Sequence, residues 1–264
     1  MGQQTPWGRV YGGQVLAQSL RAAQRTVPAD HRPHSCHGYF LLAGKCGVEV
    51  LFEVERVRDG KSFSTRLVKA LQHGKVIFQL SVSFHRDEES PSFQGAHKEF
   101  LAVAQSRGLE KISSPHELLK TRKAKPVVSA DLAGDSESLL IAEGPSWKMA
   151  WCRCTQLQLP EHLHHAALAW ASDAYFGRVV CGAVYHKDIS QIAMSMSLDH
   201  SIHFHRPVRV DDWLLFHSQC SVYNGGRGFG RTEVFTQHGV LVATANQEVL
   251  CRPKLDRTMP KPNL

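Results

Sequence analysis

The most conspicuous reactive group in this sequence is an acid where an acid is costly. Asp173 lies in Ala169-Trp170-Ala171-Ser172-Asp173-Ala174-Tyr175-Phe176, an alanine-rich stretch with helical apolar spacing. A carboxylate facing a core must be satisfied by hydrogen bonds. Held that way it is suited to take a proton from water, a contribution of roughly 10²–10⁴-fold in rate. The plainer alternative is a helix-end Asp near Gly177 that faces solvent. Other reactive types are present in less telling arrangements. The sixteen histidines include His31, His34 and His37 near Cys36, and His162, His164 and His165 ahead of the Asp173 helix. Neither cluster has the second spaced ligand pair that a zinc site needs. Cys152 and Cys154 alternate, so they share one face of a strand and suit packing. Gly226-Arg227-Gly228-Phe229-Gly230 resembles a phosphate-cradling loop, yet it follows Asn224-Gly225 with no helix after it, which predicts a hairpin. No G-x-S-x-G occurs, so a serine nucleophile elbow is absent.

The elements that position these groups come from an internal repeat. Asp59-Gly60-Lys61-Ser62-Phe63-Ser64-Thr65-Arg66 runs on to Gln72-His73-Gly74-Lys75-Val76. Asn224-Gly225-Gly226-Arg227-Gly228-Phe229-Gly230-Arg231 runs on to Gln237-His238-Gly239-Val240-Leu241. Gly60 and Gly225, Arg66 and Arg231, and Gln72 and Gln237 are each 165 residues apart. Asp-Gly and Asn-Gly favour tight hairpin turns, His-Gly marks a second turn, and the runs between are β-rich, so each half ends in an antiparallel meander. Ahead of each meander stands a helical pattern and then one strand. The first helix begins at Gly12-Gly13 and ends by Val27-Pro28; the second follows Pro160 and ends at Gly177, with a loop expected over 181–191. The strands after them, 34–40 and 199–204, also correspond. The polar, proline-containing stretch 86–145 reads as a linker, with one short helical piece near 116–119. The second unit opens with a strand over 147–154 that has no counterpart in the first, whose opening strand is apparently missing. The predicted organisation is therefore an N-terminal unit over 1–85, a linker over 86–145 and a C-terminal unit over 146–264.

A helix followed by an antiparallel meander, repeated twice, describes an α+β tandem hotdog, with antiparallel sheets each wrapped around a central helix. Tyr11-Gly12-Gly13-Gln14, His34-Ser35-Cys36-His37-Gly38-Tyr39-Phe40, Ser197-Leu198-Asp199-His200-Ser201, Phe204-His205-Arg206-Pro207 and Gln237-His238-Gly239-Val240-Leu241-Val242-Ala243 carry a more specific likeness. In that order the chain resembles the type II acyl-CoA thioesterases, a double-hotdog family with bacterial and peroxisomal members. The resemblance implies hydrolysis of fatty acyl-CoA to free fatty acid and CoA by a water held between three side chains of the second hotdog. The acid falls on Asp173 and the hydroxyl, two residues before the Asp of the Leu-Asp-His strand, on Ser197. The amide, from the Gln-Glu pair of the last strand, falls on Gln247. Ser197 and Gln247 can each orient a water without reacting. The developing oxyanion is best met by N–H groups at a helix N-terminus. Aligning Gly12 with His165 sets Leu20 opposite Asp173, and the offset of 165 sets Val82 opposite Gln247, so one centre per chain is expected. No cofactor and no metal are implied, since CoA is part of the substrate.

Composition narrows the setting. The 264 residues, at about 150 per domain, suit one large domain or two small ones, and 42% hydrophobic residues can build a core. The excess of 31 basic over 24 acidic residues gives +7, which suits a polyphosphorylated CoA substrate. The densest basic run, Lys120 to Lys125, lacks interleaved aromatics, so nucleic acid is not expected. No apolar run is long enough for a membrane span. Seven cysteines without a CxxC pair, and no signal peptide, suit an intracellular protein with reduced thiols. The resemblance implies the peroxisomal matrix or the cytoplasm, although Lys261-Pro262-Asn263-Leu264 shares only its last residue with a peroxisomal address. Homo-oligomerisation is expected, because sheet edges need covering. A non-catalytic acyl-CoA binder and a hotdog enoyl-CoA hydratase are the competing readings.

Overall fold

The computed structural model describes residues 8–94, 136–154, 159–185 and 189–254. The first half contains helix α1 (Gly12–Gln24) and strands β1 (His31–Phe40), β2 (Leu51–Asp59), β3 (Phe63–Gln72) and β4 (Lys75–Arg86). The second contains β5 (Ser136–Gly144), β6 (Trp147–Cys154), α2 (His164–Ser172), α3 (Phe176–Tyr185), β7 (Ile192–Ser197), β8 (Asp199–Phe204), β9 (Leu214–Asn224), β10 (Arg227–Thr236) and β11 (Leu241–Pro253). The strands join in one antiparallel sheet of order β2-β3-β4-β1-β8-β11-β10-β9-β6-β5, with β7 alongside the far end of β11. The predicted turns are where the sequence puts them. Gly225 and Gly226 adopt φ of 58° and 78°, Gly74 of 72° and Gly239 of 74°, left-handed values that glycine takes at little cost.

The two halves meet at β1 and β8. Ser35 opposes His203, His37 opposes Ser201 and Tyr39 opposes Asp199. His37 and Ser201 are also equivalent positions of the repeat, 164 apart, so a pseudo-two-fold axis passes between them. The two wrapped sheets therefore merge into one, and the core is continuous across the axis, from Leu16, Leu20, Val68 and Leu80 to Leu168, Ile202, Val234 and Val249. The helices also pack together across that axis.

Two segments differ from the sequence reading. Residues 136–144, placed in the linker, form β5, which pairs with β6 and caps the second half of the sheet. Its core signal is short, because Leu139 is fully buried whereas Leu140 beside it is exposed. Residues 176–185, read as a helix end and a loop, form α3. The glycines that suggested a break allow close packing instead: a Cβ on Gly182 would stand 2.5 Å from the Pro145 carbonyl oxygen. Gly228 and Gly230 of β10 lie under α3, where a Cβ would stand 2.3 Å from Val180 and 2.5 Å from Phe176 respectively. That glycine run is thus a hairpin and a packing surface. The short helix predicted near 116–119 and the basic run over 120–125 lie outside the described residues, as does the chain's last segment.

Candidate functional site

Asp173 ends α2 at the point where α1 begins. Helix α1 starts after Tyr11, which makes no side-chain cap, and Asp173 supplies the missing cap from the other half: Gly13 N–H donates to Asp173 Oδ2 at 2.8 Å. A carboxylate is favoured there, because the first N–H groups of a helix are unpaired and carry the positive end of its dipole. The approach needs glycine. A Cβ on Gly12 would stand 3.0 Å from Phe40 and 3.1 Å from Asp173 Oδ2, and one on Gly13 would stand 2.5 Å from the Trp170 carbonyl oxygen. Tyr11 closes the junction by donating its hydroxyl to that same carbonyl at 3.1 Å and setting its ring edge-on to Trp170.

The other Asp173 oxygen meets the sheet. Gln247 Nε2 donates to Oδ1 at 2.9 Å. Gln247 is fully buried on the core face of β11, and its Oε1 is buried without a partner. The Asp173 side chain is only 6% exposed. Ser197 is the last residue of β7 and opposes Val249, which stands two residues from Gln247 on the same face of β11. The structure thus bonds Asp173 to Gln247 directly, and sets Ser197 on their side of the sheet without a hydrogen bond to either.

Two contributors were missed. The Gly13 N–H is a backbone group and has no side-chain signature, although the uncapped start at Tyr11-Gly12-Gly13 was a signal of it. His200, on β8, is fully buried and points at the same carboxylate, its Nδ1 3.8 Å from Asp173 Oδ1. Ser172 fixes that ring. Its hydroxyl donates to Ala169 O at 2.9 Å, and Ser172 Oγ is 2.9 Å from His200 Nε2. A hydroxyl has one proton, so Nε2–H is the donor in that second bond and Nδ1 is the ring atom left to face Asp173. The helix N–H expected to meet an oxyanion is, at Gly13, engaged with the carboxylate. Among the described residues no group of three His, Cys, Asp or Glu side chains could hold a metal ion, and no helix is long and apolar enough to cross a membrane.

In the first half the equivalent positions are filled. Leu20, Cys36 and Val82 take the places of Asp173, His200 and Gln247, and all three are buried. The molecule is a double hotdog with one polar centre, built from the second half and completed by the first half's helix. Models of the acyl-CoA thioesterase N-terminal domain and C-terminal domain match residues 3–85 and 121–251. Human acyl-coenzyme A thioesterase 8 is 31% identical over 94% of this chain and 82% of its own length. Acyl-CoA thioesterase 2 of Haemophilus influenzae is 31% identical over 92% and 88%. The crystal structure of the acyl-CoA thioesterase II TesB2 from Mycobacterium marinum superposes with a TM-score of 0.76 at 32% identity, covering 92% of this chain and 90% of that one. The chain belongs to the acyl-CoA thioesterase family.

Proposed function

We propose that this protein hydrolyses fatty acyl-CoA to free fatty acid and CoA, with Asp173, Gln247 and Ser197 activating water. The observation that carries the reading is a nearly buried carboxylate fixed at both oxygens, by Gly13 N–H and Gln247 Nε2. As the water oxygen bonds to the thioester carbon, Asp173 takes one of its protons. Gln247 Oε1 accepts the other in a hydrogen bond, and Ser197 orients the water from the neighbouring strand. The tetrahedral intermediate then expels the CoA thiolate, which leaves without strong help, and the proton on Asp173 passes to the thiolate or to solvent. A cleft of about 300 Å³ lies between α3 and β7, lined by Cys181, Ile192 and Met194 together with Arg9 and Arg178. It offers apolar surface to the acyl arm and positive charge to the CoA phosphates.

Thiol release from a panel of acyl-CoAs tests the reading; tight binding of every acyl-CoA with no thiol released would overturn it. Base and nucleophile need no added group, so chelator treatment is expected to leave the rate unchanged. The outward-facing cross-strand pair Val222 and Phe229 is exposed, which supports association into a homo-oligomer. Light scattering should then give a multiple of 29.5 kDa. All seven cysteines are free, and a yeast relative, 24% identical, is named a peroxisomal acyl-coenzyme A thioester hydrolase. Both support action inside the cell, in the peroxisome or the cytoplasm. Imaging a tagged full chain decides between them.

A further inference from the structure

The pseudo-two-fold axis also gives the cleft between α3 and β7 a mate. Offsets of 153 between the helices and 164 between β1 and β8 carry Arg9 onto His162, Gly177 onto Gln24, Ala193 onto Ala29 and Ser195 onto His31. Those four mates line a second cleft of about 430 Å³ where α1 ends and α2 begins. The first half has no polar centre of its own, since the buried Leu20, Cys36 and Val82 stand at the positions of Asp173, His200 and Gln247. The lining of the second cleft has nevertheless kept unsatisfied polar groups. Gln24 Oε1 and His31 Nε2 are buried with no hydrogen-bond partner, and the His31 side chain is only 4% exposed.

The His31 ring is held by its other nitrogen. Nδ1 lies 3.2 Å from Asp30 Oδ1, and that hydrogen bond holds the Asp30 carboxyl below its usual range. Nδ1 therefore donates to that carboxylate, and Nε2 is the ring atom left without a partner. A buried acceptor, Gln24 Oε1, and the buried His31 Nε2 thus both belong to the lining of one cleft. Arg21 adds a guanidinium that has neither hydrogen bond nor ion pair among the described residues. The charge of Arg32 is already engaged by Asp87 and Glu161. A fitting ligand must bring both negative charge and N–H or O–H donors. A fatty acid has only the charge, whereas coenzyme A has phosphates together with amide, amine and hydroxyl donors.

We propose that this second cleft is a non-hydrolytic binding site for the coenzyme A moiety, a proposal that rests on acyl-CoA being the substrate of the first. The probe is CoA thiol itself, titrated into the full chain by calorimetry. Two equivalents per chain are expected for the wild type and for Asp173→Asn. Arg21→Ala removes the guanidinium and Gln24→Glu places a negative charge against the phosphates. Each should weaken one of the two equivalents at least tenfold, with a thermal melt confirming that the variant is folded. Decanoate alone is expected not to compete for that equivalent. A single equivalent in the wild type, two equivalents untouched by both variants, or displacement by decanoate would each overturn the proposal. Thiol release by the wild type reports the hydrolytic centre separately, so loss of the second site and loss of the hydrolase reading are distinguishable.

Discussion

Replacing Asp173 by Asn is the sharpest perturbation of the proposed chemistry, because it removes the base while barely changing the shape. The carboxylate accepts two hydrogen bonds, from Gly13 N–H and from Gln247 Nε2. An Asn has one oxygen, so one donor must face its amide nitrogen. Gln247 can resolve the conflict by rotating its amide, which turns the buried Oε1 toward the new N–H₂ group. The exchange then trades two charge-assisted bonds for neutral ones, a loss on the order of 1–2 kcal/mol. At about 2–4 °C per kcal/mol for a chain of this size, the melting temperature falls by only a few degrees. Catalysis loses the general base altogether, so kcat should drop by roughly 10²–10⁴-fold. The assay is thiol release from a saturating acyl-CoA, run beside a melt of the same preparation. A folded Asp173→Asn protein within tenfold of the wild-type kcat would refute the assignment, since the geometry offers no second carboxylate to take over. Adding Gln247→Ala to the Asn variant should cost far less kcat than Gln247→Ala costs alone, because both act on one water.

Ser197→Ala should lower kcat by about three- to tenfold, the worth of one lost hydrogen bond. Ser197→Thr, which keeps the hydroxyl, should stay near wild type in the same assay. Gly13→Ala puts a methyl 2.5 Å from the Trp170 carbonyl oxygen. Overpacking of this kind costs about 1–3 kcal/mol, read as a lowered urea midpoint, and kcat falls with it as α1 withdraws its N–H from Asp173. Acid should destabilise the fold through His165, whose ring is pushed down to about 4, chiefly by burial and then by the Arg32 charge. Between roughly pH 6.5 and 4 the unfolded chain binds a proton there that the folded chain refuses, so stability falls as pH falls through that window, by about 3 kcal/mol in full. Urea midpoints at pH 7 and 4.5 measure this, and His165→Phe, which keeps the ring packing on Phe204, should flatten the dependence.

What could be read from the sequence follows the range of the interactions involved. The turns at Gly60, Gly74, Gly225 and Gly239 are local, and the repeat shows them twice at one spacing, so the meanders were legible. Asp173 was legible because an acid is out of place among alanines. Segment β5 was not, because Ser136, Glu137, Ser138 and Glu143 dilute its apolar signal, although its partner β6 follows directly. Nor was α3, since its two glycines and three valines argue against a helix until Pro145, Gly228 and Gly230 press on it from outside. Gly13 N–H and His200 escaped for a related reason: each acts on Asp173 only across the junction between α1, α2 and β8.

That junction also accounts for a single centre in a two-fold molecule. A second centre would need an acid at Leu20, an amide at Val82 and an unpaired helix N–H at the start of α2. The third condition fails independently of the first two, because the mate of Gly13 is Ala166, and the turn Glu161–Leu163 runs without a break into α2, so Ala166 lies inside a wound helix and not at an open start. A carboxylate placed at Leu20 would meet apolar Cys36 and Val82 and a helix end already engaged. It would be buried without partners, at a cost of several kcal/mol. The asymmetry of the two helix starts, one open to Asp173 at Gly12-Gly13 and one wound tight from Glu161–Leu163, therefore confines the polar centre to Asp173 and leaves the proposed second site without a base.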